Sequence, residues 1–337
     1  MLNKQAKEKI RAVIEQKEPV VVISHINPDG DAIGSSNALA LYLKKKGVPV
    51  DVIIPNEVPD FLRWMPGFDM VLTYKNNSEA CKKSVSSAGT IFLVDFNDPG
   101  RMGKLEKDFS ESTALRILID HHENPVDFAD VVISESWRGS AGEMIYLLMK
   151  EIDGSSFLDK DIATCLYVAI MTDTGNFRYG SSYAEIFNIA GELVTAGVDK
   201  DQIFTNVYDS YSEKRMKLLG YCMSEKMVVL PEYHAAYISL TREELKQFNH
   251  QVGDTEGIVN IPFSIKGIRV TALFMEKKDH VKISLRSKGE FSVDHLAAKY
   301  FRGGGHINAA GGEYDLPLDK TIEKFESILS EFKDELQ

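Results

Sequence analysis

Three clusters of acids and histidines hold the chemistry open to this chain. His25-Ile26-Asn27-Pro28-Asp29-Gly30-Asp31 comes first, Val94-Asp95 second and Asp120-His121-His122 third, with Asp173 following alone. Each of the three stands directly behind an apolar run, where a buried strand would end. Taken singly, the residues have ordinary explanations: His25 as a satisfied histidine, Asp29-Gly30 as a turn, Asp31 as the cap of a helix starting at Ala32. Taken together, they do not. Asp29 and Asp31 repel each other in one tight loop unless a cation lies between them. Asp95, Asp120, His121 and His122 add carboxylates and imidazoles at neighbouring strand ends. Mixed donors of this kind suit a pair of divalent ions, Mn²⁺ best, with Mg²⁺ or Co²⁺ as substitutes. Such a pair activates water against a phosphate ester, so the chain reads as a metal-dependent phosphoesterase needing no covalent nucleophile.

A second candidate lies far downstream. Gly303-Gly304-Gly305 before His306 is backbone that can approach a ligand closely, and three consecutive amides there could form an anion nest. Between Lys282 and His306 the chain has five Lys or Arg and two carboxylates, against its acidic average. Arg286, at a predicted strand end, is placed to fork onto a phosphate. Closer to the first site, Arg101 and Asp98 follow Asp95 and could support it from behind. Asp98-Pro99-Gly100 reads equally well as a turn.

The elements that must position these groups are legible in outline. Residues 19–24, 50–54, 90–94 and 115–119 are short apolar strands of the kind buried on both faces. A helix over 32–46 is ended by Gly47. Ser140-Ala141-Gly142-Glu143 reads as a capping box opening a helix through Lys150, so Ser140 and Glu143 are assigned to a cap rather than to chemistry. A further helix over 161–171 delivers Asp173. Alternating strands and helices imply α/β architecture with a doubly wound parallel sheet, whose ligands gather at the carboxyl ends of strands. Residues 184–227 are helical, with Met216, Leu219, Tyr221 and Met223 expected as one buried stripe over 212–226. Beyond them, strands over 235–240, 269–275 and 280–285, a hairpin turn at Lys278-Asp279 and helices over 242–248, 293–301 and 319–336 form a smaller α/β domain. The expected division is a metal-binding domain over 1–190, a helical connector over 191–230 and a substrate-binding domain over 231–337.

Bulk properties narrow the function classes. A chain of 337 residues with 44% apolar and 26% charged residues has the composition of a globular protein. The formal charge of −11 argues against a protein that coats long nucleic acid, though a small nucleotide at a metal site is compatible with it. Cys81, Cys165 and Cys222 form no Cys-x-x-Cys pair, which fits a reducing compartment. Without a signal-like N-terminus or a membrane-length apolar run, the expected location is cytoplasmic.

His25-x-x-Pro28-Asp29-x-Asp31, Val94-Asp95, Asp120-His121-His122 and Asp173 resemble the four motifs of the DHH phosphoesterase superfamily. Gly303-Gly304-Gly305-His306-x-x-Ala309-Ala310-Gly311 and Ser284-x-Arg286-Ser287 resemble its DHH-associated C-terminal domain. The resemblance spans nearly the whole chain and falls nearest the nanoRNase and 3′-phosphoadenosine-5′-phosphate (pAp) phosphatase branch, the bifunctional oligoribonucleases. It implies that His25 and Asp29 hold one metal and Asp31, His121 and Asp173 the other, with Asp95 bridging. It also implies that His122 faces the scissile phosphate, that Asp120 orients a metal-ligand imidazole, and that Arg286, Gly303, Gly304, Gly305 and His306 bind substrate. The implied substrates are short RNA oligonucleotides and pAp. Cyclic or linear dinucleotides are the alternative within the enzyme class, and a non-catalytic nucleotide-binding module is the alternative outside it. No membrane partner is expected, and a homodimer stays open.

Overall fold

Runs of β-branched residues too short for helices set the first sheet. The computed structural model describes residues 4–180 and 183–336. The chain divides into two compact units, Met1–Ser210 and Tyr211–Gln337.

In the first unit the elements run α1 (Lys4–Gln16), β1 (Val20–Ile23), α2 (Gly30–Lys45), β2 (Val50–Ile54), β3 (Val71–Thr73), α3 (Tyr74–Ser87), β4 (Thr90–Val94), α4 (Leu105–Glu111), β5 (Leu115–Asp120), β6 (Val131–Ser134), α5 (Ala141–Asp153), α6 (Lys160–Asp173), α7 (Ala184–Thr195) and α8 (Lys200–Tyr208). The strands form a six-stranded parallel sheet in the order β3-β2-β1-β4-β5-β6. Successive strand residues point to opposite faces, and two cores follow. Val20, Val22, Val52, Ile54, Phe92, Val94, Ile117 and Ile119 pack with α1, α2 and α5 to α8. Val21, Ile23, Ile53, Ile91, Leu93 and Leu118 pack on the other face with Cys81, Val85, Leu105 and Phe109 of α3 and α4. The doubly wound sheet expected from sequence is therefore present. Its order reverses between β1 and β4, where such sheets open a crevice at their carboxyl edge.

The second unit runs α9 (Glu213–Tyr221), a π-helical turn (Cys222–Lys226), β7 (Met227–Leu230), β8 (Ala235–Leu240), α10 (Arg242–Gln247), a 3₁₀ segment (Ile258–Ser264), β9 (Val270–Glu276), β10 (Val281–Ser287), α11 (Val293–Tyr300), β11 (Gly304–His306), β12 (Ala309–Tyr314) and α12 (Leu318–Glu331). Its sheet has the order β11-β12-β10-β9-β8-β7, antiparallel except for the β8–β9 pair. Phe274, Ile283 and Leu285 face Phe325, Ile328 and Leu329 of α12. Leu273 and Met275, on the opposite face, meet Leu218, Cys222, Ile258 and Val259.

Several expectations need correction. Met216 and Met223 are about half exposed, at 51% and 47%. Leu219 and Tyr221 of the expected stripe do pack inward, partly buried, but the buried positions of the segment are Arg215, Leu218 and Cys222, so the phase of the stripe is shifted. Within residues 191–230, Leu193, Ile203 and Val207 pack in the first core, while Leu218 and Cys222 pack in the second unit. Asp29, not Asp31, caps α2, accepting from Ala32 N at 3.0 Å. The capping box at Ser140 is only half made. Ser140 Oγ accepts from Glu143 N at 3.0 Å, but the Glu143 carboxylate turns to Gly139 N rather than back to Ser140. Among the described residues no helix is long and apolar enough to cross a membrane.

Candidate metal centre

Three of the loops that carry the sequence clusters leave β1, β4 and β5, neighbours at the carboxyl edge of the first sheet. His25 follows β1, Asp95 follows β4, and Asp120 ends β5 with His121 and His122 after it. Asp173 ends α6. Asp95 takes a left-handed backbone, φ +68°, which aspartate tolerates better than most residues, and its N–H donates to Ile119 O at 3.1 Å. Gly30 and Gly142 let the helices close up behind the loops. A Cβ on Gly30 would stand 2.3 Å from Thr172 Oγ1 of α6, and one on Gly142 2.4 Å from the Ala169 Cβ.

Hydrogen bonding fixes the direction of all three rings. His25 Nδ1 donates to Ile26 O at 2.8 Å, and His121 Nδ1 donates to Arg138 O at 3.1 Å. The Nε2 atoms therefore carry the lone pairs, and they face carboxylates. His25 Nε2 lies 3.4 Å from Asp95 Oδ2. His121 Nε2 lies 3.4 Å from Asp95 Oδ1, 3.2 Å from Asp173 Oδ2 and 3.6 Å from Asp31 Oδ2. The two oxygens of Asp95 thus look toward different histidines. Donor atoms of His25, Asp29 and Asp95 fall within 4.8 Å of one another, as do those of Asp31, His121 and Asp173.

The electrostatics show what this arrangement lacks on its own. Burial pushes the carboxyl of Asp31 well above its usual range, with Asp95 and Asp173 adding to the rise. Asp29 is also raised, by burial and then by Asp95. Burial would raise Asp95 too, but the His121 and His25 rings outweigh it and hold that carboxyl well below the ordinary value. Burial disfavours a charged His121, yet the Asp173 and Asp95 carboxylates beside it outweigh burial and push the imidazole well up. Four carboxylates and two lone-pair nitrogens converge here, Asp31 and Asp95 among them buried, and divalent cations balance such a set far better than protons. The donor set fits such ions.

His122 is placed differently. Arg101 Nη1 donates to its Nε2 at 2.9 Å, and because guanidinium only donates, the ring proton resides on Nδ1. That Nδ1–H donates to Asp120 Oδ1 at 2.8 Å. Burial would raise the Asp120 carboxyl, but His122 brings it below its usual value. Asp98 is a turn cap, accepting from Gly100 N at 2.7 Å. Sequence reasoning missed the groups that hold Asp31. Ala141 N donates to its Oδ2 at 2.6 Å and Gly142 N to its Oδ1 at 2.9 Å, across more than a hundred residues of chain.

In the second unit the strand register assembles the other candidate residues. Arg286 pairs with Ala309 and Ala309 with His306, so these three form one cross-strand row on one face. The next row is Ser284, Gly311 and Gly304, a floor almost without side chains. The glycines are required by close approach. A Cβ on Gly303 would lie 1.9 Å from Gly311 O, and one on Gly305 2.4 Å from Ala309 O. The expected nest of three free amides is not formed, because the segment is a strand and Gly305 N donates to Asp294 Oδ1 at 2.8 Å.

Known proteins share this pattern. Residues 19–170 match the family model described as DHH family, N-terminal domain, and residues 232–337 match the DHHA1 domain. The bifunctional oligoribonuclease and PAP phosphatase NrnA of Thermus thermophilus is 28% identical over 334 residues, covering 98% of this chain and 95% of the relative. The protein of the same name from Bacillus subtilis is 26% identical, covering 96% and 99%. The crystal structure of an exopolyphosphatase-related protein from Bacteroides fragilis is similar with a TM-score of 0.92 and 41% identity over 99% of both chains.

Proposed function

The chain belongs to the DHH family, and from this premise we propose that it is a metal-dependent phosphoesterase. Its proposed reactions are hydrolysis of very short oligoribonucleotides to mononucleotides and dephosphorylation of pAp. The observation that carries the reading is the division of Asp95, one oxygen toward His25 and the other toward His121, between two groups of donors. In this reading His25 and Asp29 hold one ion, Asp31, His121 and Asp173 hold the other, and Asp95 touches both. Mn²⁺ is the proposed ion, since imidazole donors favour it over Mg²⁺. Bound divalent ions supply Lewis-acid stabilisation of phosphoryl charge and ease deprotonation of water.

The remaining roles fall to the chain itself. Asp120 holds His122 in one tautomer, which leaves Nε2 as the ring atom that would face the phosphate. Arg101, donating to that same atom, brings a fixed positive charge beside the phosphate position. In the second unit Arg286 and His306, on one face above a glycine floor, are the proposed grip on the nucleotide.

The substrate is tested by supplying Mn²⁺ with pAp, a labelled RNA pentamer, a linear dinucleotide, cyclic di-AMP and polyphosphate in parallel. Turnover of pAp and the short RNAs is expected. Turnover confined to polyphosphate or to cyclic di-AMP would contradict the proposed substrate while leaving the metal centre intact.

A further inference from the structure

One charged cluster in the first unit, built on the buried Arg138 and Glu143, has no part in the proposed reaction. Arg138, between β6 and α5, donates from Nε to Glu135 Oε2 at 2.9 Å and from Nη1 to Glu143 Oε1 at 2.6 Å and Glu185 Oε2 at 2.5 Å. Glu143 is fully buried, and its other oxygen accepts from Gly139 N at 3.0 Å and from the Tyr183 hydroxyl. Tyr183 in turn accepts from Gly139 N at 3.1 Å. A cap alone does not explain this. Ser140 already caps α5, and a reciprocal cap would send Glu143 back to the Ser140 amide. The cluster instead fastens the backbone of residues 138 and 139.

That backbone touches the metal centre twice. The carbonyl of Arg138 takes the Nδ1 proton of His121, which fixes where Nε2 points. Three and four residues on, the amides of Ala141 and Gly142 hold both oxygens of Asp31. One short turn therefore orients two of the three donors in the Asp31, His121 and Asp173 group and none in the His25, Asp29 and Asp95 group. We propose that Arg138, Glu143 and Tyr183 are positioning residues that preorganise this one ion site through the turn at residues 138–142. The inference rests on the two-metal reading and adds that the two sites depend unequally on a part of the fold that touches neither ion.

The test is calorimetric titration of Mn²⁺ into the metal-stripped full chain, with amide hydrogen exchange measured on the same samples. Wild type is expected to take up two ions. Glu143→Gln, which keeps the shape but turns an amide group toward donors, should weaken one site by about 10–100-fold and spare the other. The Ala141 and Gly142 amides should exchange faster in that variant, and kcat lost at limiting Mn²⁺ should return at saturating Mn²⁺. General damage to the fold would not be rescued in this way. If Glu143→Gln does not fold, Tyr183→Phe decides, since it removes one hydroxyl and keeps every charge, and a smaller shift at the same single site is expected. Wild-type affinity at both sites in the folded variants, or equal weakening of both, overturns the inference alone. Absence of Mn²⁺ uptake by wild type would overturn the two-metal reading and the inference with it.

Discussion

In the first unit the reactive groups stand on loops behind parallel strands, buried against one another. In the second, Arg286 and His306 lie within paired strands on a face floored by glycine and alanine. The first arrangement is held at an electrostatic cost, visible in the raised Asp29 and Asp31 carboxyls and the raised His121 imidazole. The second requires only that two strands come close enough for no Cβ to fit. An electrostatically costly site is expected to depend on its cation as a unit, whereas a site made by register should lose function residue by residue.

Removing the cation should affect the first unit most strongly. EDTA should abolish turnover, and Mn²⁺ should restore it better than Mg²⁺ or Co²⁺. Saturating Mn²⁺ should also raise the Tm of wild type, because an ion at about 100 times its Kd adds about 2.7 kcal/mol to the state that binds it. No rise in Tm and full activity in EDTA would remove the reason for the buried carboxylates.

Asp95→Ala comes next. Losing the carboxylate shared by both donor groups should lower kcat more than about 10³-fold, the scale for losing a positioned charge-stabilising centre. Circular dichroism should show the fold retained, since the Asp95 side chain faces other polar groups and fills no core. Near-normal rates with Mn²⁺ would refute the shared role.

Substitutions in the second unit should be milder and graded. Arg286→Ala and His306→Ala should each raise KM and lower kcat, together costing about 10–100-fold in kcat/KM, as expected for losing one charge-assisted contact that also aligns the phosphate. Mn²⁺ affinity should be unchanged in both. A lost metal site in either variant would show that the two regions are not separable. The smallest effect is expected from Gly303→Ala, whose new methyl meets the Gly311 carbonyl. It should loosen β11 from β12 and cost about 1–3 kcal/mol of stability in that unit, with a several-fold rise in KM read on the same assay.

The legibility of the sequence divides along the same line. β1 and β4 are apolar runs stopped by a polar residue, and β5 is one apart from Arg116, so the pattern alone places His25, Asp95 and Asp120 at strand ends. β3 is only three residues long, and β6 and β7, though they read Val131-Val132-Ile133 and Met227-Val228-Val229-Leu230, are partly exposed edge strands left unassigned at the level of sequence. β11 and β12 are glycine-rich and owe their form to pairing with β10 and to the turn held by Asp294, which no local propensity reports. The support of Asp31 by the start of α5 is equally hidden, because it joins positions 31 and 141. The Ser140 and Glu143 pair does carry a signal, a capping pattern, but the pattern does not reveal that the glutamate turns to Gly139 and Arg138 instead. Over 212–226 the apolar residues occupy more than one helical face, and only packing on the second sheet selects Leu218 and Cys222 over Met216 and Met223.

The proposed function requires two ions between the loops of the first unit, with Asp95 shared by both. Anomalous diffraction at the manganese edge from crystals grown with Mn²⁺ measures this most directly. Two peaks are predicted, one among His25, Asp29 and Asp95 and the other among Asp31, Asp95, His121 and Asp173. A single peak, or peaks bound by other side chains, would contradict it.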